Sequence, residues 1–341
     1  MALGIRCLVG TFHYSLYPIP YPLINMQDQY GRVIDYLRIS VTDRCDFRCR
    51  YCMPAEGVLK RTHAEMLSFE EISEIASAAI GLGIRKIRLT GGEPLVRKGI
   101  ETLCRSLKSN PGLQELTLTT NGALLAGKAA VLRDAGMDRL NISLDTLREE
   151  RFRAVTRSGS LSDTLRGIEA AEKAGFTGTK INAVLIGGFN DDEIPDLVAL
   201  TRERDLSVRF IELMPIGEAA VWPKSAFLDA GIVPERVPEL ELIGSDGVAE
   251  LYRLPGAIGK VGLIRPLSHS FCGRCSRIRL TADGMLKPCL HSNMEIPLRG
   301  LHGEQLSEAL EYGIYQKPAQ HYILRDGISG TENRLMSEIG G

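Results

Sequence analysis

A chain of 341 residues is long enough for one large α/β domain with an extension, or for two domains of roughly 150 residues each. Its 41 Lys and Arg nearly balance 42 Asp and Glu, so no overall basic surface is offered to nucleic acid or to a membrane, and an anionic ligand has to be met by locally placed cations. No run approaches the roughly 20 apolar residues that span a bilayer, and the eight cysteines fall mostly into the short-spaced groups of metal ligation, which points to a reducing cytoplasm rather than to disulfides.

Residues 1–25 carry one arginine, a brief apolar stretch and Tyr17-Pro18-Ile19-Pro20-Tyr21-Pro22, a pattern that fits neither a signal peptide nor a transit peptide. A disordered or misassigned extension is expected there, with Met26 as an alternative start. From Tyr36 to Met214, short β-rich runs alternate with helical patterns, the signature of parallel βαβ units. Six strands are predicted, at residues 36–41, 86–90, 115–119, 139–144, 180–186 and 208–213. Ser68-Phe69-Glu70-Glu71 reads as a capping box ahead of Ile72, Ile75, Ala79 and Ile80, and Ser162 and Asp191 are similar helix-start signals.

Parallel strands covered on both faces normally read as continuous apolar runs, whereas these alternate. Leu37, Ile39 and Val41 oppose Arg38 and Ser40; Ile87 and Leu89 oppose Lys86, Arg88 and Thr90; Leu116 and Leu118 oppose Thr117 and Thr119. Leu140 and Ile142 oppose Asn141 and Ser143, and Ile181 and Ala183 oppose Lys180 and Asn182. With period-two geometry the apolar set faces helices and the polar set faces a shared interior, which in a curved sheet becomes a wet, anion-binding chamber. A flat sheet with one solvated face is the plainer alternative. After about Trp222 the regular alternation stops, and a smaller appended region begins. The expected layout is residues 1–25 as extension, 26–220 as partial barrel and 221–341 as C-terminal region.

Cys45, Cys49 and Cys52 follow the first strand, at the edge where parallel βα folds carry catalytic loops. Three thiolates on a four-iron cubane leave one iron open; a structural zinc site would want a fourth ligand, and no histidine is close in sequence. Thr90-Gly91-Gly92-Glu93-Pro94 follows the second strand at the same edge, and its glycines permit close backbone approach. A second set, Cys272, Cys275 and Cys289, lies in the appended region. For a zinc ribbon there, Cys104, His269 or His291 would have to supply the missing ligand.

The C-x3-C-x2-C triad, the aromatic Tyr51 and the Gly-Gly-Glu-Pro turn resemble the radical S-adenosylmethionine (SAM) superfamily over residues 37–214. With the second triad, the blocks Leu37 to Arg44, Thr119-Thr120-Asn121-Gly122, Asn141 to Asp145, Arg209 to Met214 and Cys275 to Leu280, and the terminal Gly340-Gly341, nearly the whole chain resembles the GTP 3′,8-cyclase family of molybdenum cofactor biosynthesis; only residues 1–25 look foreign. The resemblance implies an incomplete (βα)6 TIM-like barrel with two [4Fe-4S] clusters, one on each cysteine triad. It assigns SAM contacts to Tyr51, Gly92, Ser143 and Met214, and GTP contacts to Arg38, Arg88, Thr119, Lys180, Arg277, Ile278 and Arg279, with Lys86 as a further contact. Arg277, Arg279, Gly340 and Gly341 are implied in catalysis, although a terminal Gly-Gly would ordinarily be a frayed end.

Guanidinium forks suit triphosphate oxygens, which a near-neutral protein has to meet with concentrated arginines. By the same resemblance, a 5′-deoxyadenosyl radical takes hydrogen from ribose C3′, a low-potential donor supplies electrons, the enzyme is a cytoplasmic homodimer, and the product passes to cyclic pyranopterin monophosphate synthase. Two rivals remain at this point: another two-cluster radical SAM enzyme, such as a peptide modifier, and a non-catalytic zinc-binding protein.

Overall fold

The computed structural model describes residues 26–58, 61–321 and 334–340, so the expected N-terminal extension and Gly341 lie outside the described residues. All six predicted strands are present, with ends within two residues of expectation: β1 (Tyr36–Ser40), β2 (Lys86–Thr90), β3 (Glu115–Thr120), β4 (Arg139–Ser143), β5 (Thr179–Leu185) and β6 (Leu206–Glu212). They pair in chain order and all in parallel. Helices return the chain between them. The helix Phe69–Gly81 begins with the Ser68–Glu71 capping box, in which each side chain satisfies the other's backbone N–H. The start expected at Ser162 lies two residues earlier, at Ser160, and Asp191 opens a 3₁₀ turn that leads into the helix Ile194–Ala199.

The residues after 221 do not build a sheet of their own. They supply β7 (Glu241–Asp246), β8 (Ala249–Arg253), β9 (Lys260–Ile264), β10 (Arg277–Leu280), β11 (Met285–Lys287) and β12 (Ile296–Pro297). β9 joins β6 in parallel and carries β8 and β7 antiparallel; β10 joins β1 in parallel and carries β11 and β12 antiparallel. The order is therefore β12-β11-β10-β1-β2-β3-β4-β5-β6-β9-β8-β7, an unclosed sheet whose C-terminal strands flank both edges of the parallel core. Among the described residues no helix is long and apolar enough to cross a membrane.

The alternation read from the sequence sorts the two faces. Leu37, Ile39, Ile87, Leu89, Leu116, Leu118, Leu140, Ile142 and Ile181 are fully buried in one core cluster beneath the helices. The opposite face is polar, and the parallel register aligns it in rows: Arg279, Arg38 and Arg88 lie side by side across β10, β1 and β2, and Thr119, Asn141 and Lys180 across β3, β4 and β5.

Tight seats hold the helices where loops leave this edge of the sheet. A Cβ on Gly167, in the helix Leu161–Lys173, would stand 2.2 Å from the carbonyl oxygen of Gly122, at the turn after β3. Backbone cannot yield there as a flexible side chain can. Gly167→Ala is expected to destabilise the fold by about 2 kcal/mol, read from chemical denaturation; an unchanged midpoint would show that the helix is not seated on this turn.

Candidate active site

The loop after β1 brings Cys45, Cys49 and Cys52 to one end of a cavity of about 590 Å³. Burial, with the neighbouring thiols and carboxylates, drives the Cys45 and Cys49 thiols well above their ordinary range, and burial holds Cys52 at about 12. Ligation needs thiolate, so a cationic centre bound here would have to bring these thiols down, as a coordinated metal does. The loop is fixed from outside by Arg97, whose guanidinium donates to Val41 O at 2.6 Å and Leu67 O at 2.7 Å while lying 4.2 Å from the Phe69 ring centre.

The Gly-Gly-Glu-Pro turn has two functions in this arrangement. Gly92 N donates to Thr42 O, and Glu93 N to Arg44 O, both at 2.8 Å, so the turn packs main chain to main chain against the cysteine loop. A Cβ on Gly92 would stand 2.4 Å from Arg44 O, and one on Gly91 2.5 Å from Thr42 O. The glycine requirement is thus set first by the neighbouring loop, while both glycines also line the cavity. Glu93 points away from the open space: its carboxylate accepts from Leu95 N, Asn121 N and Thr120 Oγ1, and burial raises its pKa to about 7. Nearby, Tyr51 donates its hydroxyl to Asp145 Oδ2 at 2.8 Å, and burial holds Asp145 at about 6.

The cavity wall above the strands is cationic. Arg38, Lys86, Arg88, Arg139, Lys180, Arg209, Arg277 and Arg279 all line it. Burial, then the charges of Arg279 and Arg88, depress Arg38; burial, then Arg277, lowers Arg279 to about 10; burial, then Arg209, lowers Lys180 to about 8. A guanidinium stays protonated at neutral pH regardless, so these shifts measure electrostatic crowding that an anion would relieve. Polar groups also wait unsatisfied: Thr119 Oγ1, Asn141 Oδ1, Asn182 Oδ1, Arg139 Nε and Arg209 Nε are buried without a hydrogen-bond partner among the described residues. Such orphaned groups in a cavity mark a ligand surface.

Cys272, Cys275 and Cys289 line the same cavity. Burial raises Cys272, but the His321 imidazole and Ser270 hydroxyl outweigh it and bring it to about 6; at Cys275 the Lys317 and Arg277 charges overcome burial and bring it to about 7. Cys272 is then mostly thiolate and Cys275 about half thiolate at neutral pH, and thiolate is the form that ligates iron. Cys104, considered as a further zinc ligand, is instead fully buried in the core, and His269 faces a separate small pocket; His291 and His321 line the main cavity, their rings 4.9 Å apart. Among the described residues no three His, Cys, Asp or Glu side chains converge as around a single ion; thiolates on a four-iron cluster bind different irons and need not do so.

Of the residues expected from sequence, Tyr51, Gly92, Ser143, Met214, Arg38, Arg88, Thr119, Lys180, Arg277, Arg279 and Lys86 share this cavity. Ile278 does not, because its side chain is fully buried in the core and only its main chain is left to meet a ligand. Gly340 lies where β1 and β2 end, its carbonyl accepting from Arg279 Nη1 at 2.5 Å, so this part of the tail is docked. Gly341 lies outside the described residues.

Sequence reasoning gave no role to Asp246, Lys317 or His321. Lys317, buried, donates to Arg277 O at 2.7 Å and Pro288 O at 2.8 Å, tying β10 to the Cys289 loop. A lysine between Gln316 and Pro318 carries no local signal of burial. Arg32 likewise clamps the second loop through Cys272 O at 2.7 Å.

Two family models match the chain: the radical SAM superfamily over residues 39–201 and Molybdenum Cofactor Synthesis C over residues 206–323. A relative named GTP 3′,8-cyclase from Alkaliphilus oremlandii (strain OhILAs) is 48% identical over 93% of this chain and 100% of its own length. One of the same name from Peptoclostridium acidaminophilum is 53% identical over 92% of this chain and 98% of its own length. Among solved structures, Streptococcus suis SuiB bound to S-adenosylmethionine superposes with a TM-score of 0.61 at 16% identity, covering 85% of this chain and 68% of that one, which is a likeness of fold.

The radical SAM family implies a [4Fe-4S] cluster and SAM, and the donor set of the first loop fits that cluster. Gly92→Ala is expected to push the turn off the cysteine loop, at about 1–3 kcal/mol, and so to lower the iron bound per chain after anaerobic reconstitution. Wild-type iron content would show that the two loops do not depend on each other.

Proposed function

We infer that this chain, which belongs to the GTP 3′,8-cyclase family of the radical SAM superfamily, converts GTP to (8S)-3′,8-cyclo-7,8-dihydroguanosine 5′-triphosphate in molybdenum cofactor biosynthesis. The observation that supports this reading most strongly is the union, in one cavity, of two cysteine triads and a cation-crowded wall. Cys45, Cys49 and Cys52 hold the first cluster, with Tyr51, Gly92, Ser143 and Met214 around SAM. Cys272, Cys275 and Cys289 would hold a second [4Fe-4S] cluster, which would supply an open iron for the guanine ring. Bound there, the first cluster and SAM would supply the 5′-deoxyadenosyl radical needed to remove hydrogen from ribose C3′ for closure onto guanine C8.

The protein's own part is positioning and enclosure. Arg38, Arg88, Lys180 and Thr119 reach the cavity from rigid strands, so they bind the triphosphate with little ordering on arrival. Arg277, held 5.1 Å from the Phe271 ring centre, and Arg279, pinned by Gly340 O, meet the nucleotide from β10, where Ile278 contributes its main chain alone. Gly340 acts through Arg279 as the tail of the site, and the same reading gives Gly341, outside the described residues, a part in catalysis beside it. The same reading assigns a low-potential electron donor, a cytoplasmic homodimer, and delivery of the product to cyclic pyranopterin monophosphate synthase.

The test is anaerobic reconstitution with iron and sulfide, followed by SAM, reductant and GTP. The expected outcome is 5′-deoxyadenosine together with the cyclised nucleotide; deoxyadenosine with GTP unconsumed would leave radical chemistry standing and remove the cyclase. Arg277→Ala is expected to weaken GTP binding by about tenfold, as for a lost charge-assisted contact, while SAM cleavage remains. Unchanged GTP affinity would contradict its role.

A further inference from the structure

The cations along the wall are not equally available. Lys180 Nζ donates to Asp246 Oδ2 at 2.8 Å, and Arg209 Nη2 donates to the same oxygen. The two cations belong to neighbouring strands, β5 and β6, and their side chains are 7% and 8% exposed, whereas the Asp246 side chain is 48% exposed. Two fixed cations in the wall are thus occupied by one acid that lines the same cavity but is carried on another strand.

Asp246 is the last residue of β7, the edge strand of the sheet, which is exposed along its whole length and has its only strand partner in β8. The ladder between β7 and β8 is interrupted by a bulge at Leu242 and Gly244, and Gly247, at φ +62°, makes the turn immediately after Asp246. A hairpin with no buried side chains on its outer strand and one irregular ladder has little to hold it in a single position. The carboxylate also leaves its partners incompletely satisfied, because Arg209 Nε is buried without an acceptor. Space for Arg209 is kept by Gly262 opposite it on β9, where a Cβ would stand 3.2 Å from Arg209 Cγ. A phosphoryl group, with three acceptor oxygens, can serve Lys180 and both donor positions of Arg209 where one carboxylate oxygen cannot.

We propose that Asp246 is a built-in stand-in for a terminal phosphoryl group, holding Lys180 and Arg209 in the ligand-free enzyme and competing with a triphosphate for them. The proposal rests on the reading of this cavity as the GTP site. Substrate and product both carry a 5′-triphosphate, so a resident competitor weakens the apparent binding of each by the same factor. A ligand too short to reach Lys180 and Arg209 displaces nothing and is indifferent to it. A carboxylate that merely oriented the two cations for substrate would act with the opposite sign, since its loss would weaken binding.

The experiment compares equilibrium binding of GTP, GMP and inorganic tripolyphosphate to the anaerobically reconstituted full chain, as wild type, Asp246→Asn and Asp246→Glu. Asp246→Asn is expected to bind GTP and tripolyphosphate about three- to tenfold more tightly, the range for losing a half-exposed ionic competitor, with unchanged GMP affinity. Asp246→Glu, which keeps the charge, stays near wild type. Equal or weaker binding of both polyphosphates by Asp246→Asn overturns the proposal. Tighter tripolyphosphate binding with no GTP binding by either protein would uphold the competition and remove the GTP reading instead.

Discussion

Three arginines in register across three parallel strands set the terms for the rest of this molecule. Arg38 stands between Arg279 and Arg88, itself and Arg279 buried and Arg88 half-buried, at a strand spacing of about 5 Å. Desolvation and like-charge repulsion act together there, and among neutral residues such an alignment would have no reason to exist. It is tolerable because the surrounding fold is over-determined: a continuous apolar face beneath the strands carries the stability, leaving the polar face free to be strained. An anion in the cavity adds an attraction to each of these cations and so offsets the repulsion and the desolvation.

The same register explains why the C-terminal residues are woven into the barrel sheet. β10 contributes Arg277 and Arg279 to the cationic rows and also carries Cys275 at its entrance, so pairing β10 with β1 brings the second triad to the cavity and completes the wall in one step. β9, at the other edge, seats Arg209 through Gly262 and carries the β7–β8 hairpin with Asp246. Each edge of the parallel core therefore receives one strand that lines the site and one set of groups that bears on its charge.

Much of this was legible in the sequence, for definable reasons. Alternation of Leu37, Ile39 and Val41 with Arg38 and Ser40 reports the two faces of a strand directly, because side chains in a strand have a period of two. Cysteine spacing reports ligation in the same local way. What could not be read were relations between distant segments: that Gly91 and Gly92 approach the main chain of Thr42 and Arg44, that Lys317 is a buried clamp, that Ile278 turns its side chain into the core, and that Asp246 reaches Lys180 from 66 residues away. Charged residues in loops and on exposed edge strands resemble solvated surface wherever they end up, so nothing local distinguishes Asp246 or Lys317 from their neighbours.

The central claim is that the cationic wall is destabilising when empty and stabilising when an anion fills it. Arg88→Met, which keeps volume and removes the charge, tests this in one thermal-unfolding series with and without GTP. The predicted result is an unfolding midpoint above wild type for the ligand-free protein, together with loss of most of the rise in midpoint that GTP gives wild type. A ligand-free midpoint below wild type with the GTP-induced rise intact would contradict it.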